Sequence, residues 1–110
     1  MNFFGGLKTV WMVVMFDLPT ETAEDRRRYA QFRKVLLKDG FWMMQFSVYG
    51  RHCPSDENAE VHEKRVVWAL PPKGNVRIIK VTEKQFARMK TFYGKAPTKT
   101  EEPPLQLSFF

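Results

Sequence analysis

Hydrophobic and polar positions change period along this chain, and the changes mark out its elements. The uncharged run Val10-Trp11-Met12-Val13-Val14-Met15-Phe16 stops at Asp17-Leu18-Pro19. A short continuous apolar run rich in Val and aromatics predicts a buried β-strand, and Pro19 closes it. Thr22 with Asp25 makes a weak capping box for a helix to about Lys38, in which Tyr29, Phe32 and Leu36 share one face and Gly40 supplies the stop. The stretch from Phe41 to His52 is too long for one ordinary strand, so it predicts two pairing segments, Phe41–Gln45 and Phe46–His52, with a tight reversal or bulge between them. Pro54-Ser55-Asp56 opens a second helix with Ala59, His62, Val66 and Ala69 on one stripe, ended by Leu70-Pro71-Pro72.

After the turn Lys73-Gly74-Asn75 comes the strand Val76–Val81. Thr82 and Gln85 then form a capping box for a short helix expected to carry Phe86, Met89 and Tyr93 as far as Gly94. Residues 96–104 are polar, include Pro97, Pro103 and Pro104, and lack apolar periodicity, which reads as a linker. Beyond them Leu105, Leu107 and Phe109 alternate with polar neighbours and end on Phe110, the pattern of one more strand.

The order strand, helix, strand, strand, helix, strand is that of an α+β, ferredoxin-like split βαβ unit with an appended short helix and a C-terminal strand. A chain of 110 residues, 44% of them hydrophobic, holds a single core. The expected division is a domain over 1–94, a linker over 95–104 and a C-terminal segment over 105–110. No apolar stretch approaches the length of a membrane span and the N-terminus lacks a signal pattern, so a cytoplasmic protein is expected. The single cysteine, Cys53, excludes an intrachain disulfide.

Charge narrows the function. Eighteen Lys and Arg against 12 acids give a net +6 and favour a polyanionic partner, nucleic acid first. Against that background Asp17 stands out, because a carboxylate ending an apolar strand is costly to bury and calls for a cation, turn amides or a metal ion. Arg77 alternates with Val76 and Ile78 and so faces away from them; a sheet surface carrying Arg77 and Lys80 is read as a phosphate track. His52, Cys53 and His62 lack a second cysteine and fit no zinc spacing, no Ser-His-Asp or Cys-His set is arguable, and the glycines form no phosphate loop.

The run Met12–Pro19, the Arg-rich first helix, and Gln45-Phe46-Ser47-Val48-Tyr49 together resemble the CRISPR-associated protein two family, the small subunit of the spacer-acquisition machinery. Leu70-Pro71-Pro72-Lys73-Gly74, Val76-Arg77 and the stretch from Thr82 to Gly94 are similar to members from systems with a single large effector nuclease. The resemblance covers roughly residues 8–94. It implies a ferredoxin-like homodimer in which Asp17 of each protomer faces its twin. Such a pair would hold Mg²⁺ (or Mn²⁺) for phosphodiester hydrolysis, since Mg²⁺ takes one or two carboxylates plus waters or phosphate. Many family members carry a tyrosine where this chain has Phe16, so that hydroxyl is absent here.

The resemblance also implies nucleic-acid contacts at Arg26 and Arg28 of the first helix, a companion CRISPR integrase subunit as partner, and duplex DNA held along its backbone. The segment Leu105, Leu107, Phe109 and Phe110 is expected to dock as a strand on a partner's sheet edge. The leading expectation is a basic architectural subunit of spacer acquisition with metal-dependent nuclease activity able to coexist with it; the alternative is a stand-alone Mg²⁺-dependent endonuclease on RNA or DNA. A ferredoxin-like RNA-binding module ranks below both, because Gln45–Tyr49 lacks the basic-Gly-aromatic pattern of that class.

Overall fold

A computed structural model describes residues 9–104. The elements are β1 (Val10–Asp17), α1 (Ala23–Lys38), β2 (Trp42–Gln45), β3 (Val48–Cys53), α2 (Asp56–Trp68), β4 (Asn75–Thr82), α3 (Glu83–Ala87), β5 (Thr91–Tyr93) and β6 (Ala96–Thr98). The first four strands form an antiparallel sheet in the order β2-β3-β1-β4, the ferredoxin-like arrangement expected from the sequence. β1 is an inner strand covered by the long helices on one face and by α3 on the other, so its apolar run is buried on both faces and reads as continuous rather than alternating.

Alternation along β1 divides the interior into two cores. Val10, Met12, Val14 and Phe16 point toward the two long helices and pack with Phe32 and Leu36 of α1 and Ala59 and Val66 of α2. Trp11 and Val13 point to the opposite face, where Phe86 of α3 covers them and Met15, Trp42, Met44, Val48 and Val81 complete a smaller cluster. The Trp11 and Phe86 rings stack with centroids 4.0 Å apart. α1 and α3 both start with full capping boxes, Thr22 with Asp25 and Thr82 with Gln85, each of which stabilises its helix by about 1 kcal/mol.

Between β2 and β3 the structure contains both the reversal and the irregularity that the sequence left open. The turn falls at Phe46-Ser47, and the β2–β3 register shifts between Met43 and Gln45. Two expectations are corrected further along. α3 stops at Ala87 and does not continue to Tyr93, since Thr91–Tyr93 is strand β5. The segment read as a linker supplies its mate, β6, with Tyr93 opposite Ala96 and Gly94 at φ +63° opening the two-residue loop. A glycine first in a two-residue loop is hairpin chemistry, and β-branched and aromatic residues at 91–93 prefer the extended state over a last helical turn. The docking segment at Leu105, Leu107, Phe109 and Phe110 lies outside the described residues.

The two histidines have structural partners. His62 on α2 is buried with its Nδ1 2.7 Å from Asp39 Oδ2 just past α1, while Arg65 bonds the other carboxylate oxygen, so the helices are joined at that end. On the other face, His52 Nε2 lies 2.9 Å from Glu83 Oε1, which also accepts from Thr9 Oγ1 at 2.7 Å. These bonds clamp the start of α3 to β3 and to the residue that leads into β1. Among the described residues no helix is long and apolar enough to cross a membrane.

The hydrogen bonds from His52 and Thr9 hold the Glu83 carboxyl below the ordinary carboxylate range. A depressed carboxyl pKa contributes stability that is present above the unfolded value and is lost as pH falls through the folded one. Acidification below about pH 4 should therefore loosen α3 before the helix-face core. Trp11 fluorescence, reporting on its stack with Phe86, should change over that range, and Glu83→Gln should remove this component of the pH response.

Candidate active site and nucleic-acid interface

β1 delivers Asp17 to the rim of the sheet. Its last core residue, Phe16, is held by aromatic contacts with Tyr29, Phe32 and Tyr49, and its N–H donates to the Ser47 carbonyl at 3.0 Å. Asp17 alternates with Trp11, Val13 and Met15 and so belongs to the face away from the long helices. It is exposed, and among the described residues no side chain is hydrogen-bonded or ion-paired to it. The partner that a buried carboxylate would have required is thus unnecessary, because water solvates this one. The carboxylate is free to take a ligand from outside the chain.

Register identifies its neighbours. Asp17 stands opposite Asn75 of β4, and Met15 stands opposite Arg77. Arg77 is therefore the diagonal neighbour of Asp17 on the same face, roughly 7–8 Å away between backbones, within reach of a long side chain. Arg77 is exposed and makes no ion pair among the described residues. An unpaired carboxylate beside an unpaired guanidinium on an open sheet face has the chemistry to engage a phosphodiester: the cation could take phosphate oxygens, and the carboxylate could hold a metal ion or orient water.

Lys80 does not join them. It stands opposite Met12, on the helix face, and its Nζ is 3.0 Å from Glu63 of α2, which raises the pKa of the lysine. The shared surface expected for Arg77 and Lys80 is corrected: positions three apart on a strand have opposite parity and point to opposite faces. The α1 arginines also separate. Arg26 donates to the Thr20 and Glu21 carbonyls at 3.1 Å and ties down the loop before α1. Arg27 and Arg28 both bridge to Glu24, and hydrogen bonding to Arg27 lowers the pKa of that glutamate. Arg28 remains partly exposed, lining a small cleft with Leu18, Pro19, Tyr29 and Lys73 just beyond Asp17. Farther along α1, Arg27, Arg28, Lys34 and Lys38 rim a groove of about 530 Å³ walled by Leu70, Pro71 and Pro72.

Gly74 fixes the rim and was visible in the sequence only as part of a turn. Its φ is +99°, and a Cβ there would lie 2.8 Å from the Asp17 carbonyl oxygen and 3.0 Å from Leu18 Cα. Backbone atoms cannot swing aside as a flexible side chain can, so the close packing of the β4 start against the β1 end needs glycine twice over. Ser47 is the other special position. It has φ +62°, unusual for a residue with a Cβ, and is secured by its carbonyl bond to Phe16 and a 3.0 Å bond between its Oγ and the Tyr29 hydroxyl.

Mg²⁺ fits this rim in one way. Among the described residues no three His, Cys, Asp or Glu side chains form a metal-holding group, and the carboxylate that β1 brings to the rim is that of Asp17. An ion that retains several waters and takes one or two carboxylates suits such a site if a second Asp17 comes from a symmetry mate.

Residues 10–89 match the family model described as CRISPR associated protein Cas2. The chain is 52% identical over 101 residues to the CRISPR-associated endoribonuclease Cas2 of Parvibaculum lavamentivorans, covering 92% of this chain and 100% of that one. It is 50% identical to the protein of the same name from Flavobacterium psychrophilum, over 94% of this chain and 90% of the relative. A crystal structure of a Cas2 protein superposes with a TM-score of 0.54 at 19% identity, covering 84% of this chain and 98% of that chain, which supports the fold.

Substituting Gly74 by Ala should force the β4 start away from Asp17-Leu18 and cost about 1–3 kcal/mol. Chemical denaturation of the variant would show this as a lower midpoint at an unchanged slope.

Proposed function

This chain belongs to the CRISPR-associated protein Cas2 family, and from that premise we propose that it is a metal-dependent endoribonuclease acting as a homodimer. Asp17 from each protomer contributes to one Mg²⁺ (or Mn²⁺) site. The observation that carries this reading is the exposed, unpaired Asp17 with Arg77 as its diagonal neighbour on an open sheet face. The relatives' name supports the substrate class. When bound, the ion would polarise the phosphate and lower the pKa of a coordinated water. Arg77 takes the non-bridging phosphate oxygens and orients the scissile bond, and each Asp17 supplies a hard anionic oxygen. Phe16 lies beneath, buried, and contributes position rather than a proton.

A second reading of the same dimer has its own support. The net charge of +6, the arginines of α1 and the basic groove beside Leu70–Pro72 suit the backbone of duplex DNA, as expected of a spacer-acquisition subunit that bridges the companion integrase. The charges that would serve this role lie on the helix layer, while Asp17 and Arg77 lie on the opposite face, so one dimer has room for both.

Asp17→Asn should abolish metal-dependent cleavage of an RNA oligonucleotide while leaving the dimer mass unchanged in sedimentation. Full cleavage by a clean preparation of that variant would sink the catalytic assignment. Arg77→Ala should weaken nucleic-acid binding with little dependence on sequence and reduce the slope of log K against log salt by about 0.7–0.9, the loss of one phosphate contact. Arg26→Ala, whose guanidinium already serves the loop before α1, should leave that slope unchanged. The reverse ranking in a salt-titration series would show that the binding face is α1.

A further inference from the structure

We propose that Phe46 is a stacking platform for an unpaired base of the bound RNA strand, next to the Asp17 rim. The inference rests on the endoribonuclease reading and adds a base subsite to it. Phe46 sits in the β2–β3 turn and is 76% exposed, an unusual setting for a phenyl ring. It is not loose: one face stacks on Tyr29, with centroids 6.1 Å apart and planes 21° from parallel. Tyr29 is itself fixed by its bond to Ser47 Oγ and by edge contact with Phe16. With the ring 76% exposed, the second face of Phe46 is open to solvent and can accept another flat ring.

Its surroundings select the kind of ring. Next in the chain, Ser47 takes the strained φ of +62° and gives its carbonyl to the N–H of Phe16, so the platform is anchored one residue from Asp17 on β1. Tyr29 also lines the small cleft with Arg28, Lys73 and Asp25, the last with its carboxylate engaged by the Thr22 N–H in the capping box. An aromatic ring stacked on the tyrosine that borders this basic cleft, in the turn next to the rim carboxylate, suits a nucleotide in single-stranded form, base on the ring and phosphate toward the cations. A base inside a duplex, stacked on both sides, offers no free face to such a platform. A strand whose base stacks here would pass its backbone over the rim where Asp17 and Arg77 stand.

The test uses the full chain carrying Asp17→Asn, so that binding is read without cleavage. Affinity is measured for labelled oligouridine RNA, for the same strand with abasic sites, and for an RNA duplex. Adding Phe46→Ala should weaken the base-bearing single strand about tenfold and leave the abasic strand and the duplex unchanged. Phe46→Trp should restore the affinity. An equal loss on base-bearing and abasic strands, or no loss on either, overturns the platform while the endoribonuclease reading stands. A fall in dimer mass on Phe46→Ala also overturns it, since the ring would then serve an interface between copies. Phe46-dependent binding of single-stranded DNA with none of RNA keeps the platform and removes the RNA reading. Failure of the Phe46-intact protein to bind any single strand removes both.

Discussion

The alternation of side chains along β1 is the constraint from which the rest of the structure follows. The strand is paired on both edges, and its residues feed two cores on opposite faces of the sheet. Even positions from Val10 to Phe16 support the long helices, and Trp11 and Val13 support α3. The same parity places Asp17 on the face away from the helices, where Arg77 is its diagonal neighbour. A one-residue slip of β1 would bury Asp17 against Tyr29 and Phe32, leaving an unpaired charge in an aromatic pocket at a cost of several kcal/mol. Register and site are therefore specified by the same residues.

Much of this was legible in the amino-acid pattern, for identifiable reasons. β1, α1, α2, β4 and both capping boxes emerge from local chemistry: an apolar run, a 3.6-residue stripe, or a Thr with its acceptor three residues on. The sheet order follows from the element order. Asp17 was conspicuous because its sequence neighbours are apolar, although its exposure was not foreseeable: solvation at a strand end depends on where the flanking loops run. The helical reading of Met89 to Tyr93 failed because Phe86, Met89 and Tyr93 also satisfy helical spacing. What decides between helix and hairpin there is pairing with Ala96–Thr98, across a loop whose glycine was taken for a helix stop. Local propensity yields when a mate is available two residues away.

The basic residues show where one-dimensional reading gives way to three. Arg77 and Lys80 look equivalent in sequence, but the strand period assigns one to the open face and the other to an ion pair with Glu63. Arg26, Arg27 and Arg28 are consecutive, yet one holds the loop before the helix and two share Glu24. Net charge raises the expectation of a polyanion, whereas the hydrogen-bond partners decide which cations remain unpaired. The histidines make the same point. His62 answers a carboxylate 23 residues earlier and His52 one 31 residues later, separations that leave no local signature.

One protomer carries half of the chemistry assigned to it. A single carboxylate cannot fix a divalent ion in a hydrolytic geometry, and the open face that bears it keeps Ile79 about half exposed and Met15, Trp42 and Met44 only partly buried beside the Trp11 core. Apolar surface next to an unshared ligand is what a two-fold interface would cover while bringing a second carboxylate to the first. Two like charges meeting across such an axis would repel until a cation lies between them, so metal binding and close approach of the protomers would each favour the other. The Phe46 platforms, at the β2–β3 turns beside each rim, would then flank the shared centre with one base subsite per protomer. The turn geometry at Ser47 and the close approach at Gly74 fix the two sides of the rim at which Asp17 stands within each chain.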